Sequence, residues 1–141
     1  MARFLIVDDD PACRRLLEHY LKPFGDCDLA ENGAEGASAF RKALQDGRPY
    51  DLVCLDLLMP EQDGHTTVHA IRTIEAEHDI FSRDRVKVIM TTAVRDVTHC
   101  VQAYHEGCES YLTKPIDPAK LLQRLRELGL DQAKASTGGT A

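Results

Sequence analysis

This chain has no excess of positive charge, no long apolar run and no regular cysteine pattern, and each absence removes a class of function. Lys and Arg total 17 against 23 Asp and Glu, a formal net charge of -6. That is the wrong sign for a protein that neutralises nucleic-acid phosphates with a basic face, so no nucleic acid is expected among its partners. No stretch approaches the ~20 apolar residues of a membrane-spanning helix, and the apolar run near Phe4 is too short for a secretory signal. No membrane association and a cytoplasmic location are therefore expected. Five cysteines, at 13, 27, 54, 100 and 108, form neither a C-x-x-C pair nor a zinc spacing, and their odd number does not suit a disulfide framework. They read as structural thiols. His65 and His69 lie four apart, as a metal pair on a helix would, but no third ligand accompanies them and they read as a solvated face. Repeats and an interdomain linker are also missing.

The 141 residues are 43% hydrophobic and 28% charged, an ordinary balance for one globular domain. Phe4-Leu5-Ile6-Val7, Leu52-Val53-Cys54-Leu55 and Val86-Lys87-Val88-Ile89-Met90 are short apolar runs that end at polar residues, the pattern of strands buried on both faces. Weaker strands are expected at about 26–30 and 110–113. Between them run helical stripes: Cys13, Leu16, Leu17, Tyr20 and Leu21; Ala37, Phe40 and Leu44; Val68, Ile71 and Ile74; Val97, Cys100, Val101 and Tyr104; and Leu121, Leu122, Leu125 and Leu128. Asp10-Pro11 and Asp117-Pro118 each supply an N-cap carboxylate followed by a first-turn proline, and Gly47, Gly107 and Gly129 suit helix ends. Five β/α alternations imply an α/β domain with a parallel sheet covered on both faces, spanning residues 1–130. Residues 131–141 carry no apolar stripe and are expected to form a disordered tail.

In such a sheet, ligands bind beyond the carboxyl ends of the strands. That edge collects Asp8-Asp9-Asp10, Asp56, Thr91-Thr92 and Thr113-Lys114-Pro115. Taken singly, each group is ordinary turn chemistry. Taken together, clustered carboxylates repel one another until a cation offsets the charge, and a hard divalent ion such as Mg2+ prefers oxygen ligands. A lysine and a threonine hydroxyl nearby would hold phosphoryl oxygens. The constellation suits phosphoryl transfer. A nucleotide or flavin domain would place a glycine- or hydroxyl-rich loop after the first strand, where this chain has carboxylates.

The segments Phe-Leu-Ile-Val-Asp-Asp-Asp at 4–10, Leu-Val-Cys-Leu-Asp-Leu-Leu-Met-Pro at 52–60 with Asp63-Gly64 after it, Met-Thr-Thr-Ala at 90–93 and Tyr-Leu-Thr-Lys-Pro at 111–115 together resemble the receiver domains of two-component response regulators. The resemblance spans about residues 3–129. It implies a flavodoxin-like, three-layer α/β/α fold with strand order 2-1-3-4-5. It further implies Asp56 as phospho-acceptor, Mg2+ held by Asp8, Asp9, Asp56 and the Leu58 carbonyl, and Thr92 and Lys114 on the phosphoryl group. Tyr111 would be the switch aromatic, and the Lys114–Pro115 bond would be cis. Implied partners are a sensor histidine kinase or histidine phosphotransfer protein, and a downstream target protein docking on the family's helix 4, strand 5 and helix 5 surface, where His99, Gln102 and Tyr104 fall.

The expected function is that of a stand-alone, chemotaxis-type response regulator, a signalling module rather than an enzyme with a separate substrate. Leu58 and Val94 occupy the positions on which the family's phosphoryl lifetime depends; both are apolar and cannot position water, so slow self-hydrolysis is expected. A receiver fold that signals without phosphorylation is the alternative. A Mg2+-dependent aspartyl phosphohydrolase is disfavoured, because it would want a second aspartate where Leu58 stands. The purpose of the long charged stretch from Glu75 to Arg85 is not legible.

Overall fold

A computed structural model of the chain describes residues 2–57, 64–81, 84–93 and 108–132. The elements run β1 (Ala2–Val7), α1 (Pro11–Leu21), β2 (Gly25–Ala30), α2 (Gly33–Gln45), β3 (Leu52–Asp56), α3 (Gly64–Glu77), β4 (Lys87–Thr92), β5 (Ser110–Thr113) and a closing helix, Pro118–Glu127. The five strands form one sheet in the order β2-β1-β3-β4-β5, and every pair is parallel. This is the flavodoxin-like arrangement that the motifs imply.

Alternation along the strands builds the three layers. On β1, Leu5 and Val7 join Phe40, Val68, Ile71 and Ile74 under α2 and α3. Phe4 and Ile6 point the other way, toward Leu17 and Leu21 of α1 and Leu121 and Leu125 of the closing helix. Residues 4–7 are fully buried, each apolar side chain contributing about 1.5–3 kcal/mol. A strand apolar at every position, not every second one, is what a central strand between two helical layers requires. β2 differs: its Asp26, Asp28 and Leu29 are exposed, as befits a strand at the sheet edge.

The caps form as the sequence indicates. Asp10 and Asp117 accept hydrogen bonds from Ala12 N and Ala119 N, each ahead of a first-turn proline. Gly47 and Gly129 adopt positive φ, 71° and 74°, where helices end. Gly107, the helix expected from Val97 to Tyr104 and the tail beyond residue 132 lie outside the described residues. The stretch after Glu75 acquires a structural purpose. Glu75 is 1% exposed; its Oε2 accepts from Val86 N at 2.6 Å, and its carbonyl accepts from Ile80 N at 2.9 Å. One side chain thus ties the end of α3 to the start of β4.

Candidate functional site

Register brings the polar strand ends to one level. Val7 pairs with Leu55, Asp56 with Thr91, and Thr92 with Thr113. The residues that follow β1, complete β3 and β4, and follow β5 therefore emerge side by side. Backbone bonds lock the rim: Asp8 N donates to Ala30 O at 3.1 Å, Leu57 N to Thr91 O at 2.8 Å, and Lys114 N to Thr92 O at 2.7 Å. The Lys114–Pro115 peptide is cis, in agreement with the expectation.

Asp8, Asp9 and Asp56 each present a carboxylate oxygen within 4.8 Å of the others. Asp8 is 0% and Asp56 4% exposed, while Asp9 faces solvent. Lys114 Nζ stands between the two buried acids, 2.9 Å from Asp8 Oδ2 and 3.2 Å from Asp56 Oδ2. Burial alone would push the lysine pKa down, but its pairing with Asp8 and the charges of Asp56 and Asp8 prevail and hold it above its ordinary value. The ammonium stays charged.

Asp8 divides its two oxygens. Oδ1 accepts from Asp10 N at 2.9 Å, whereas the buried Oδ2 has an ion-pair contact with Lys114 but no hydrogen bond of proper geometry among the described residues. A buried carboxylate oxygen without a directed donor is costly. Three carboxylates against one ammonium leave negative charge over. An all-oxygen set of this kind fits a hard divalent cation such as Mg2+ rather than a thiophilic metal.

Two further residues border the cluster, and the sequence reading did not single them out as functional. The Cys13 thiol, in the first turn of α1, is pushed up to about 12, first by burial and then by hydrogen bonding and repulsion from Asp8. It stays protonated and a poor nucleophile. Arg14 Nη1 donates to the Asp8 carbonyl at 2.6 Å. Their place in the turn directly after the acidic triplet is the signal that could have found them.

Gly64 explains the spacing after Asp56. A Cβ there would lie 2.8 Å from both Asp56 O and Leu57 Cα, closer than backbone atoms tolerate, so only glycine lets α3 begin against the end of β3. That close approach also corrects the expectation for the histidine pair. His69 is exposed, but His65 is buried, 8% exposed, because the first turn of α3 abuts the sheet. No metal-holding group among the described residues includes either histidine. Thr92 is fully buried and Tyr111 is partly buried against the core. Leu58, Met59, Pro60, Asp63, Val94, His99, Gln102 and Tyr104 lie outside the described residues.

The sequence matches the response regulator receiver domain family over residues 4–126. It is 37% identical over 129 residues to the DNA-binding dual master transcriptional regulator RpaA of Synechocystis, covering 91% of this chain and 49% of that protein. It is 35% identical to the transcriptional regulatory protein ResD of Bacillus subtilis, covering 89% and 47%. The chain thus spans about half the length of the curated relatives it matches. Among solved structures it superposes on a CheX–CheY complex with beryllofluoride and Mg2+ from Borrelia burgdorferi with TM-score 0.78 and 26% identity, covering 91% of this chain and 89% of that one. It likewise superposes on the complex of the Saccharomyces cerevisiae histidine phosphotransfer protein Ypd1 with the receiver domain of Ssk1, with TM-score 0.77 and 28% identity, covering 94% and 91%.

Proposed function

This chain belongs to the response regulator receiver domain family, and from that premise we propose that it accepts a phosphoryl group on Asp56 from a phosphohistidine donor and converts it into a change of protein-docking surface. The observation that supports this most is the buried pair Asp8 and Asp56 sharing Lys114, with one Asp8 oxygen lacking a directed donor. Asp8, Asp9 and Asp56 would hold Mg2+, which supplies neutralising charge for the transferring phosphoryl group. An Asp56 oxygen forms the new P–O bond as the donor's P–N bond breaks, and the electron pair leaves with the imidazole. Lys114, held charged by its acidic neighbours, is within reach of the phosphoryl oxygens. Thr92, on the adjacent strand end, supplies a hydroxyl to the same group. The dianion then biases a pre-existing equilibrium of Thr92 and Tyr111, and with it the surface around β5 and the closing helix.

A sensor histidine kinase or histidine phosphotransfer protein is the proposed donor. Its likeness to the receiver bound to Ypd1 in the solved complex supports this choice. The recipient of the signal is proposed as a protein docking on the switched surface, either separate or joined to the receiver in a longer chain. The relatives include a protein named as DNA-binding, so the acidic charge alone does not argue against nucleic acid at that level. Catalysis is confined to the chain's own phosphorylation and slow dephosphorylation.

Incubation with acetyl phosphate and Mg2+ tests the proposal. One added phosphoryl group is expected by mass in the native chain, and none in Asp56→Asn or in the presence of a chelator. A native chain that remains unmodified, yet still binds a phosphotransfer protein, would favour signalling without phosphorylation.

A further inference from the structure

Arg14 stands beside the acidic cluster without contributing a ligand atom. Its Nη1 donates to the Asp8 carbonyl at 2.6 Å, its Nη2 lies 3.8 Å from Glu31 Oε1, and its side chain is 13% exposed. The carbonyl it grips is the oxygen of the Asp8–Asp9 peptide. Other atoms of the turn are held by backbone: Asp8 N donates to Ala30 O, and Arg14 N to Asp10 O. The carboxylate of Asp8 caps Asp10 N. Among the described residues, Arg14 is therefore the side chain that sets the tilt of the peptide from which Asp9 projects.

Resting on the receiver reading, we propose that Arg14 is a positioning residue for the divalent cation. By fixing the Asp8–Asp9 peptide plane, it aims the Asp9 carboxylate at the point that Asp8 and Asp56 already face.

A cation in this position could play two roles, and they differ in sign. As a bare charge beside a divalent ion, Arg14 would oppose binding, and its removal would tighten it. As an anchor of a ligand-bearing turn, its removal loosens binding, typically about 10–100-fold for groups that orient metal ligands. The geometry favours the anchor. The side chain is largely buried, and its guanidinium is directed at a carbonyl and partly offset by Glu31 on the neighbouring loop. Arginine suits the task because its planar fork engages both loops at once.

The experiment titrates the full chain with Mg2+ alone by calorimetry and follows thermal melting without metal. Arg14→Ala is expected to raise the Mg2+ Kd at least about tenfold, and Arg14→Lys to recover part of the loss by keeping one donor for the carbonyl. With acetyl phosphate, the Mg2+ concentration giving half-maximal phosphorylation should rise by more than the maximal rate falls. A Kd for Arg14→Ala equal to or below that of the native chain overturns the proposal. If Arg14→Ala does not melt cooperatively, Arg14→Gln decides: its shorter, neutral side chain cannot span to both loops, so weaker Mg2+ binding than in the native chain supports the anchor role, and equal or tighter binding overturns it. A native chain that binds no Mg2+ overturns the receiver reading as well, whereas native binding left unmoved by the variants overturns this proposal only.

Discussion

Two clusters of carboxylates occupy opposite ends of one sheet, and they are completed in different ways. At the amino ends of β4 and β5, Glu75 takes Arg72 Nη1 at 2.8 Å and Val86 N at 2.6 Å, while Glu109 takes Arg72 Nη2 at 3.1 Å and Val88 N at 2.7 Å. Each acid there has a shared guanidinium and a backbone donor of its own. At the carboxyl ends, Asp8 and Asp56 share the single Lys114 ammonium, Asp9 adds a third carboxylate, and Asp8 Oδ2 meets Lys114 as an ion pair outside hydrogen-bond geometry among the described residues. The closed cluster fastens α3 to the sheet. The open one sets three acids against one ammonium, and that excess of negative charge is what the proposed Mg2+ site rests on.

The sharpest way to break the comparison is to remove one acid from the closed cluster. Glu75→Ala takes from Arg72 one of its two acids, Glu109 remaining, and leaves Val86 N without its acceptor, so a loss of about 3 kcal/mol is expected in urea unfolding. A loss below 1 kcal/mol would show that the amino-end cluster is no more complete than the other. Filling the open cluster should have a smaller effect of opposite sign. Mg2+ at 100 times its Kd should stabilise the chain by about 2.7 kcal/mol, read as a rise in Tm that a chelator reverses.

Removing charge from the open cluster comes next in size. Asp56→Asn relieves repulsion in the metal-free form and should raise its stability by about 1 kcal/mol, while shrinking the Mg2+ increment. Unchanged or lower metal-free stability would mean that Lys114 already balances the acids.

The smallest expected effect is alkaline. Cys13 and Cys54 are both pushed from 9.0 to about 12, chiefly by burial. A folded pKa above the unfolded one gives stability that is complete below pH 9 and falls as pH climbs from 9 toward 12. Lys114, also raised, adds a further decline that begins above its ordinary value. Between pH 8 and 9.5 each thiol should cost under about 1 kcal/mol, and Cys13→Ala should flatten the profile by its share. A profile unchanged in that variant would mean that Cys13 ionises alike in both states.

The difference between the clusters also separates what was legible from what was not. Asp8, Asp9, Asp56, Thr92 and Lys114 could be placed at one edge because each follows or closes an apolar run, and in a parallel sheet every such run ends on the same side. The closed cluster left no comparable mark. Arg72 and Glu109 carry no mark in the sequence and Glu75 only opens a charged stretch, since nothing in a single chain position says that a side chain will fold inward to meet a backbone N–H. His65 failed for the same reason: spacing put it on a face with His69, but the close approach allowed by Gly64 buried its turn.

The order of apolar runs, caps and acidic strand ends determined by itself that this chain is a parallel α/β domain with a charged crest, because period and punctuation are local properties of the chain. Tertiary structure alone decided that Lys114 would stand between Asp8 and Asp56, that Arg14 would grip the peptide between two acids, and that Glu75 would seal the far end. Those outcomes depend on distances between strands and loops remote in sequence, which only packing sets.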